Sequence, residues 1–421
     1  RPVHPEPETI FEKERNVMQH VFICGAKSIG RYGGYETFVE ELAVYSQKYQ
    51  NIKLHILCKA NGEGCVDETK LVGVTELNET EFEYYGAHCI KICVPNLGAA
   101  TAIWYDTAAV SFCLKYCKEH HIEKPIFYIL TCRIGPMIGH LRRRLKKLDG
   151  QLQLNPDGHE WKRQKWPTPV RKYWKLSEQQ MVRAADLVIC DSVNIEKYIQ
   201  QTYRAYHPKT TYISYGADIV PSTLGHNDPV FQEYLKKNGL TVDGYYLVVC
   251  RFVPENNIET ILREFLHSDT HRKLAIIMTQ NPKHYNELNE KLHFEDDPRI
   301  CFLGTIYEQN LLKKIRECAY AYLHGHEVGG TNPSLLESLG ATKVNLLLNV
   351  PFNQEVALDS ALYWSKEPGS LAALLHKTDS LTEEERNAMG EKAQARIRNS
   401  YSWQFIADEY ERLWSPVAKK E

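Results

Sequence analysis

The sequence predicts an α/β protein in which two doubly wound, Rossmann-like domains face each other across a central cleft. At 421 residues the chain is longer than one hydrophobic core usually accommodates, so two domains of roughly 200 residues are expected. Apolar runs alternate with helical patterns from His20 onwards, and the alternation restarts at Tyr245. Strands that alternate with helices favour parallel sheets covered on both faces.

The first domain begins with a predicted strand, a glycine-rich turn and a helix, at 20–25, 26–34 and 35–45. A further helix is predicted at 101–120. Short apolar runs predict the other strands of this domain, at 53–58, 88–94, 125–130, 151–154 and 186–190.

The second domain starts with the apolar run at 245–250. The segment before it, 227–244, is polar and helical and shows no buried pattern, and 214–218 is typical of the entrance to a hinge. Further strands of this domain are predicted at 274–278, 300–303, 319–324 and 344–349.

These patterns divide the chain into four parts. Residues 1–17 are rich in proline and charge, so we expect a disordered leader or a cloning remnant. The first domain is expected at 18–215 and the second domain at 216–398. The segment 399–421 contains a helix with more aromatic surface than one domain edge needs, so we expect it to pack back across both domains.

Composition and charge exclude several classes of protein. The formal net charge of −2 excludes a chain that binds nucleic acid through its overall charge. The 12 cysteines lie mostly in apolar runs and form no CxxC pair, which indicates reduced thiols of a cytoplasmic protein. No apolar stretch reaches the roughly 20 residues that cross a bilayer. Without a DxD motif at a strand end or a His/Cys cluster at ligand spacing, we expect neither a metal nor a cofactor.

The most informative segment is 327–337, which predicts a strand, a turn of two glycines and a helix, with a carboxylate at each end. Gly329 and Gly330 let backbone N–H groups approach a ligand, and the helix that begins near Pro333 directs its positive end to the same place. This pattern predicts an anion site, with Glu337 able to reach a hydroxylated ligand. The alternative is a tight connection with two solvated glutamates, Glu327 and Glu337.

The first glycine turn, 25–36, also suits a phosphate group. It supplies free N–H groups together with Lys27 and Arg31, and it leads into a helix. Its glycines do not match the GxGxxG spacing, which argues against NAD. The alternative is a plain tight turn between a strand and a helix.

Two strand ends carry further candidates. Arg251 follows the first strand of the second domain, where its guanidinium is expected to hold a diphosphate in bidentate fashion. The alternative is a surface arginine paired with Glu255. Asp157 and His159 follow another predicted strand, so they are expected to face the cleft as hydrogen-bonding or acid–base groups. For His159 the alternative is a structural role.

A basic and aromatic segment predicts a face that docks on an anionic membrane, where indole rings lie at the headgroup level. A groove for single-stranded nucleic acid uses the same residue types, and an ordinary solvated helix face is the third interpretation. The residues of this predicted membrane face are Arg142, Arg143, Arg144, Lys146, Lys147, Trp161, Lys162, Arg163, Lys165 and Trp166.

Four motifs, at 28–43, 155–163, 251–257 and 324–337, together resemble the bacterial rhamnosyltransferases that build streptococcal capsular and cell-wall polysaccharides. Those enzymes are retaining glycosyltransferases of the GT-B class. The resemblance implies transfer of L-rhamnose from dTDP-L-rhamnose to a polyprenyl-diphosphate-linked glucose or N-acetylglucosamine, in a β-1,4 linkage. It also implies a cytoplasmic protein held peripherally at the inner face of the plasma membrane, with no nucleic-acid partner.

The resemblance also implies roles for individual residues. In the second domain it implies that Arg251 holds the diphosphate and that Glu337 binds the ribose of the nucleotide. The acceptor is implied to lie in the first domain, beside Asp157, His159 and the first glycine turn. The remaining donor-binding residues are expected to be Asn256, Asn257, Glu327, Val328, Gly329, Gly330, Thr331 and Asn332, and the acceptor or phosphate group is expected at Lys27, Arg31, Gly33, Gly34 and Glu160.

The sequence departs from the GT-B pattern at two places. Its two glutamates, Glu327 and Glu337, are ten residues apart instead of eight. The lysine that usually accompanies the diphosphate arginine is replaced by Asn256 and Asn257. Either a second cation comes from elsewhere, with Lys27 or Arg31 as candidates, or helix dipoles carry more of the charge. The alternative functions are another retaining hexosyltransferase of the class, a nucleotide-sugar epimerase, a phosphorylase or a sugar-binding protein without catalytic activity.

Overall fold

The computed structural model describes residues 18–31, 33–163, 166–279, 281–328 and 330–415. The leader predicted at 1–17, Lys165 of the predicted membrane face and Gly329 of the predicted donor turn lie outside these described residues. Within them the fold is α/β, with two sheets that are almost entirely parallel.

The first sheet has nine strands among the described residues, in the order β3-β4-β5-β2-β1-β6-β7-β8-β9. Neighbouring strands are parallel except at β3/β4 and β4/β5, which are antiparallel. The strands are β1 Gln19–Cys24, β2 Ile52–Lys59, β3 Val74–Asn78, β4 Glu81–Tyr84, β5 Ala87–Ile92, β6 Ile126–Leu130, β7 Gln151–Asn155, β8 Leu187–Cys190 and β9 Thr210–Tyr212. The helices of this domain are α1 Gly34–Ser46, α2 Thr101–Glu119, α3 Gly135–Lys146, α4 Thr168–Ala184 and α5 Val193–Thr202.

The second sheet has six parallel strands among the described residues, in the order β12-β11-β10-β13-β14-β15. They are β10 Tyr245–Arg251, β11 Lys273–Thr279, β12 Ile300–Gly304, β13 Ala321–His324, β14 Asn345–Leu348 and β15 Leu362–Trp364. The helices that follow the first domain are α6 Pro229–Asn238, α7 Ile258–Leu266, α8 Pro282–Leu292, α9 Gln309–Glu317, α10 Pro333–Ala341, α11 Pro351–Ala357, α12 Ser370–Asp379, α13 Glu383–Ser400 and α14 Trp403–Trp414.

Eleven predicted strands are confirmed, because each of those apolar runs forms a strand within a few residues of its expected ends. The strand predicted at the start of 327–337 was wrong, because β13 already ends at His324. The structure adds β3, β4, β9 and β15, which the sequence analysis missed. β3 and β4 form an antiparallel edge, and they contain glutamates instead of a continuous apolar run. β9 and β15 have only three residues each, which is too short for a clear pattern. The expectation of no buried pattern in 227–244 was wrong: Phe231, Leu235 and Leu240 pack into the core with Tyr245 and Leu247.

Each sheet has one place where the strand order reverses. In the first sheet it lies between β1 and β6, and in the second between β10 and β13. Ligands of doubly wound domains bind beyond the carboxyl ends of the strands at such a point. The turns after these four strands are therefore the expected walls of a binding cleft.

The C-terminal segment contacts both domains in succession. Tyr401 packs in the second-domain core, and the next helix, α14, inserts Trp403, Tyr410 and Trp414 into the core of the first domain. The Tyr410 and Tyr128 hydroxyl groups are 2.8 Å apart, and the Trp414 indole N–H donates to Gln153 Oε1 at 2.9 Å. The last helix thus completes the first domain. No helix among the described residues has the length and apolar character needed to span a bilayer.

Candidate active site between the two domains

Residues of both domains line a small, open cavity at the switch point of the second sheet. The second domain contributes Arg251 at the end of β10 and the loops after β10 and β13. The first domain contributes Arg163. The lining residues are Arg163, Arg251, Val253, Glu255, His326 and Val328.

The loops on the second-domain side are fixed by side-chain amides. Asn256 Nδ2 donates to the Arg251 carbonyl oxygen at 2.7 Å, and its Oδ1 is 2.8 Å from His326 Nδ1. Asn257 Nδ2 donates to the Gly325 carbonyl oxygen at 2.8 Å. Burial, followed by Arg163 and Arg251, lowers the pKa of His326 to about 4, so this imidazole is neutral near pH 7. Asn256 and Asn257 thus shape the cavity through the backbone.

The turn before α10 joins the two domains. Thr331 Oγ1 donates to the carbonyl oxygen of Asp191 at 2.6 Å and accepts from Ser214 Oγ at 3.1 Å. The side chain of Asn332 caps α10 by accepting from the Ser334 and Leu335 amides at 2.9 and 3.4 Å. Those two amides are therefore bonded within the protein.

The two glutamates at the ends of this motif both form ion pairs, so neither is merely solvated. Glu337 Oε2 is 2.6 Å from Arg316 Nη2, and the Arg316 side chain is only 4% exposed. Glu327 pairs with Lys366. A buried guanidinium without a counter-charge destabilises the folded state, so Arg316 keeps its ion pair with Glu337. This ion pair fixes the position of the Glu337 carboxylate.

The first-domain wall is built on the end of β7. Asn155 Oδ1 accepts from the Tyr35 hydroxyl at 3.1 Å and from the Asp157 amide at 2.9 Å. Asp157 and His159 both have left-handed backbone angles, with φ of 59° and 49°. The His159 ring packs on Tyr198 at 4.2 Å, and burial lowers its pKa to about 4. His159 is thus a neutral, packed side chain near pH 7.

Carboxylates of α1 occupy amides of the first glycine turn. The Lys27 amide donates to Glu36 Oε1 and the Gly30 amide donates to Glu40 Oε2, each at 3.1 Å. The side chains of Lys27 and Arg31 are exposed, and neither lines the cavity beside Arg251. α1 begins at Gly34, and its N-cap residue Gly33 provides no side-chain cap.

Sequence reasoning missed two polar side chains that follow first-domain strands. Arg133, after β6, donates from Nη1 to buried Asp106 Oδ2 at 3.0 Å and to the Gly25 carbonyl oxygen at 3.1 Å. Asp191, directly after β8, lies so close to Gly330 that a methyl group there would overlap its carboxylate. Both follow runs that were predicted as strands, so the position after each strand was the available signal.

The surroundings of Asp191 favour its protonated form. Asp191 Oδ1 is buried and has no hydrogen-bond partner among the described residues. Burial, followed by Asp157 and Glu355, raises the pKa of Asp191 to about 7, and Arg163 opposes this effect. The hydroxyl groups of Tyr35 and Tyr128 also lie within electrostatic reach.

A carboxylate of the second domain caps a helix of the first. Glu355, on α11, accepts from the Val193 amide at 2.7 Å, the Asn194 amide at 3.1 Å and Ser192 Oγ at 2.8 Å. Carboxylates stabilise helix N-termini because the first amides there lack partners. This cap and the Thr331 contact hold the domains together across the cleft.

Four residues of the predicted membrane face are partly buried and form contacts within the protein. Arg142 pairs with Asp186, and Trp161 donates to the Tyr198 hydroxyl at 3.1 Å. Trp166 donates to Glu160 Oε1 at 2.8 Å, and Arg163 lines the interdomain cavity. The exposed members among the described residues are Arg143, Lys146, Lys147 and Lys162, with Arg144 half-buried.

One protein-family model matches the first part of the chain. Residues 18–218 match the family model described as "Domain of unknown function (DUF1972)". A search of curated proteins found no match.

Solved structures match nearly the whole chain. A glycosyltransferase from Rickettsia africae is 13% identical with a TM-score of 0.70, covering 96% of this chain and all of its own (100%). Sucrose-phosphate synthase from Thermosynechococcus elongatus is 14% identical with a TM-score of 0.68, covering 94% of this chain and 98% of its own. HepE from Anabaena in complex with UDP and glucose is 13% identical with a TM-score of 0.66, covering 94% and 99%. The chain therefore has the two-domain GT-B fold.

Proposed function

We propose that this protein is a glycosyltransferase that moves a sugar from a nucleotide-sugar donor, held against the second domain, to an acceptor held against the first. The observation that carries the proposal is the cavity at the end of β10, where Arg251 and the Val328 turn lie opposite the first domain. A guanidinium matches a diphosphate in geometry and charge. The HepE structure, which holds UDP and glucose in the same fold, supports this choice.

The substrates we propose are dTDP-L-rhamnose and a polyprenyl-diphosphate-linked glucose or N-acetylglucosamine, with the β-1,4 linkage formed with retention. Support comes from the four motifs that resemble rhamnosyltransferases. A UDP-sugar is the second candidate donor, because the HepE complex contains UDP. Incubation with a panel of sugar nucleotides and a synthetic lipid-diphosphate monosaccharide, followed by product mass, tests both. Turnover of no donor contradicts the proposal, and donor conversion without acceptor indicates an epimerase.

The mechanism we propose follows from the charge of the leaving group. The bond between the anomeric carbon and the phosphate oxygen breaks while the acceptor oxygen bonds to the same face, and the acceptor proton passes to the departing phosphate oxygen. Arg251 then stabilises the nucleoside diphosphate more in the transition state than in the ground state. Nuclear magnetic resonance of the product contradicts this mechanism if the anomeric centre is inverted.

We propose that Asp191 and Asp157 orient the acceptor hydroxyl group from the first-domain wall, and this predicts a pH dependence. A protonated carboxyl cannot accept as a carboxylate does, so kcat/KM should rise as the pH increases through about 7. Asp191→Asn should remove this rise, whereas Glu233→Gln, at an exposed position on α6, should keep it. An unchanged pH profile in Asp191→Asn contradicts the role.

The raised pKa also means that the contribution of Asp191 to stability is present at low pH and lost as the pH rises through about 7.

We also propose that the exposed cations of α3 hold the protein to an anionic inner-leaflet surface. Arg143, Lys146 and Lys147 are exposed, and each cation near such a surface adds about 1 kcal/mol. Replacing all three with glutamate should lower the affinity for anionic vesicles, measured by co-sedimentation, by roughly 100-fold or more. Transfer to a soluble acceptor should persist. The matched control replaces Lys236 and Lys237 of α6. Equal binding of both variants to vesicles contradicts this docking face.

A further inference from the structure

One of the two arginines that line the donor cavity belongs to the first domain. In the second domain, Arg251 lines the cavity, but the amides of Asn256 and Asn257 are bonded to backbone oxygens of the same domain. Lys366 and Arg316, which pair with Glu327 and Glu337, do not line the cavity. The other cation that lines the cavity among the described residues is Arg163, which belongs to the first domain.

Arg163 is held in place by carboxylates of its own loop. Its Nε lies 2.5 Å from Glu160 Oε2, and its Nη2 lies 4.0 Å from Asp157 Oδ1. Glu160 is fixed in turn by the Trp166 indole N–H at 2.8 Å. The Arg163 side chain is only 17% exposed, so its position is defined by packing and ion pairing.

The electrostatics of the cavity point to an anion between the two arginines. Both guanidinium groups act on the same imidazole, since Arg163 and Arg251 each help to lower the pKa of His326. The two guanidinium groups attract an anion placed between them, in competition with the carboxylates of Glu160 and Glu255. Each guanidinium has several donors in a planar fork, so the pair can bind a diphosphate from two sides.

We propose that Arg163 binds the diphosphate of the nucleotide sugar from across the cleft, as the partner of Arg251. This inference rests on the proposed function and extends it. The full positive charge of the donor site then exists only when the domains are together, as the Glu355 cap and the Thr331 contact hold them here. Binding of the donor and closure of the cleft are therefore coupled, because one cation comes from each domain.

The test measures affinity for nucleoside diphosphates and for the matching nucleosides by calorimetry, using dTDP with thymidine and UDP with uridine. Arg163→Gln should weaken binding of the diphosphate roughly 10- to 100-fold and leave nucleoside binding unchanged, because charged hydrogen bonds are lost only to the phosphates. Arg163→Lys should restore part of the lost affinity, since the charge returns without the planar fork. Arg204→Gln, at an exposed first-domain position, should bind as the wild type does.

The outcomes separate the inference from the function beneath it. Normal diphosphate affinity in Arg163→Gln, with weakened affinity in Arg251→Gln, overturns the role of Arg163 and leaves the proposed function standing. Failure of the wild-type protein to bind any nucleoside diphosphate overturns both. If Arg163→Gln fails to fold, as judged by thermal unfolding, Arg163→Lys decides: a loss of affinity confined to the diphosphate supports the proposal, and wild-type affinity for the diphosphate overturns it.

Discussion

Replacing Arg251 with glutamine should lower kcat/KM for sugar transfer by a factor of about 10² to 10³, the usual effect of removing one donor that stabilises transition-state charge. The reason is its place at the end of β10, where it lines the cavity between the domains. Glutamine keeps a polar side chain of similar length but carries no charge. Steady-state kinetics with the donor identified by the panel experiment provides the measurement.

The control for this prediction is Arg398→Gln, on the exposed face of α13 in the same domain. That variant should retain wild-type kinetics. The two variants remove the same charge from the chain, so a difference between them reports the position of Arg251 and not the net charge. Near-normal transfer by Arg251→Gln would contradict the proposed donor site.

Replacing Trp414 with alanine should lower the free energy of unfolding of the first domain by about 3–5 kcal/mol, the usual cost of truncating a buried tryptophan. Trp414 is 1% exposed and lies far from the first domain in sequence, yet its ring packs on Tyr128 and Tyr410 in the first-domain core. The change also leaves Gln153 Oε1 without its indole partner. Chemical denaturation followed by tryptophan fluorescence and circular dichroism measures the loss.

Phe405 offers the matched control on the same helix. It is 38% exposed, so its replacement by alanine removes little buried surface and should cost far less. If both variants unfold at the same denaturant concentration as the wild type, α14 does not belong to the cooperative unit of the first domain.

Much of the site could be predicted because its residues follow strands. In a parallel sheet the carboxyl ends of all strands meet at one edge, so Arg251 and Asp157 were found from the apolar runs before them. Asp191 also follows a predicted strand and was missed, because no glycine turn or chemical motif marks it. Residues that lie outside such patterns carry no comparable local signal.

The basic segment shows where local pattern fails. Arg142, Arg163 and the exposed cations of α3 look alike in sequence, since all lie among lysines, arginines and tryptophans. Their roles differ because Arg142 forms an ion pair with Asp186, whereas Arg163 lines the cavity between the two domains. A charged side chain is assigned to solvent, an ion pair or a ligand by the groups that folding brings beside it.

Local pattern along the chain was enough to predict the two doubly wound domains, the carboxyl ends of their central strands and the arginine at the end of β10, because hydrophobic period and strand ends are properties of consecutive residues. The packing of distant elements was needed to show that Arg163 faces Arg251, that Arg316 fixes Glu337 and that α14 completes the first domain. Each of these depends on partners far away in the chain, which are chosen when elements pack and not by the residues beside them.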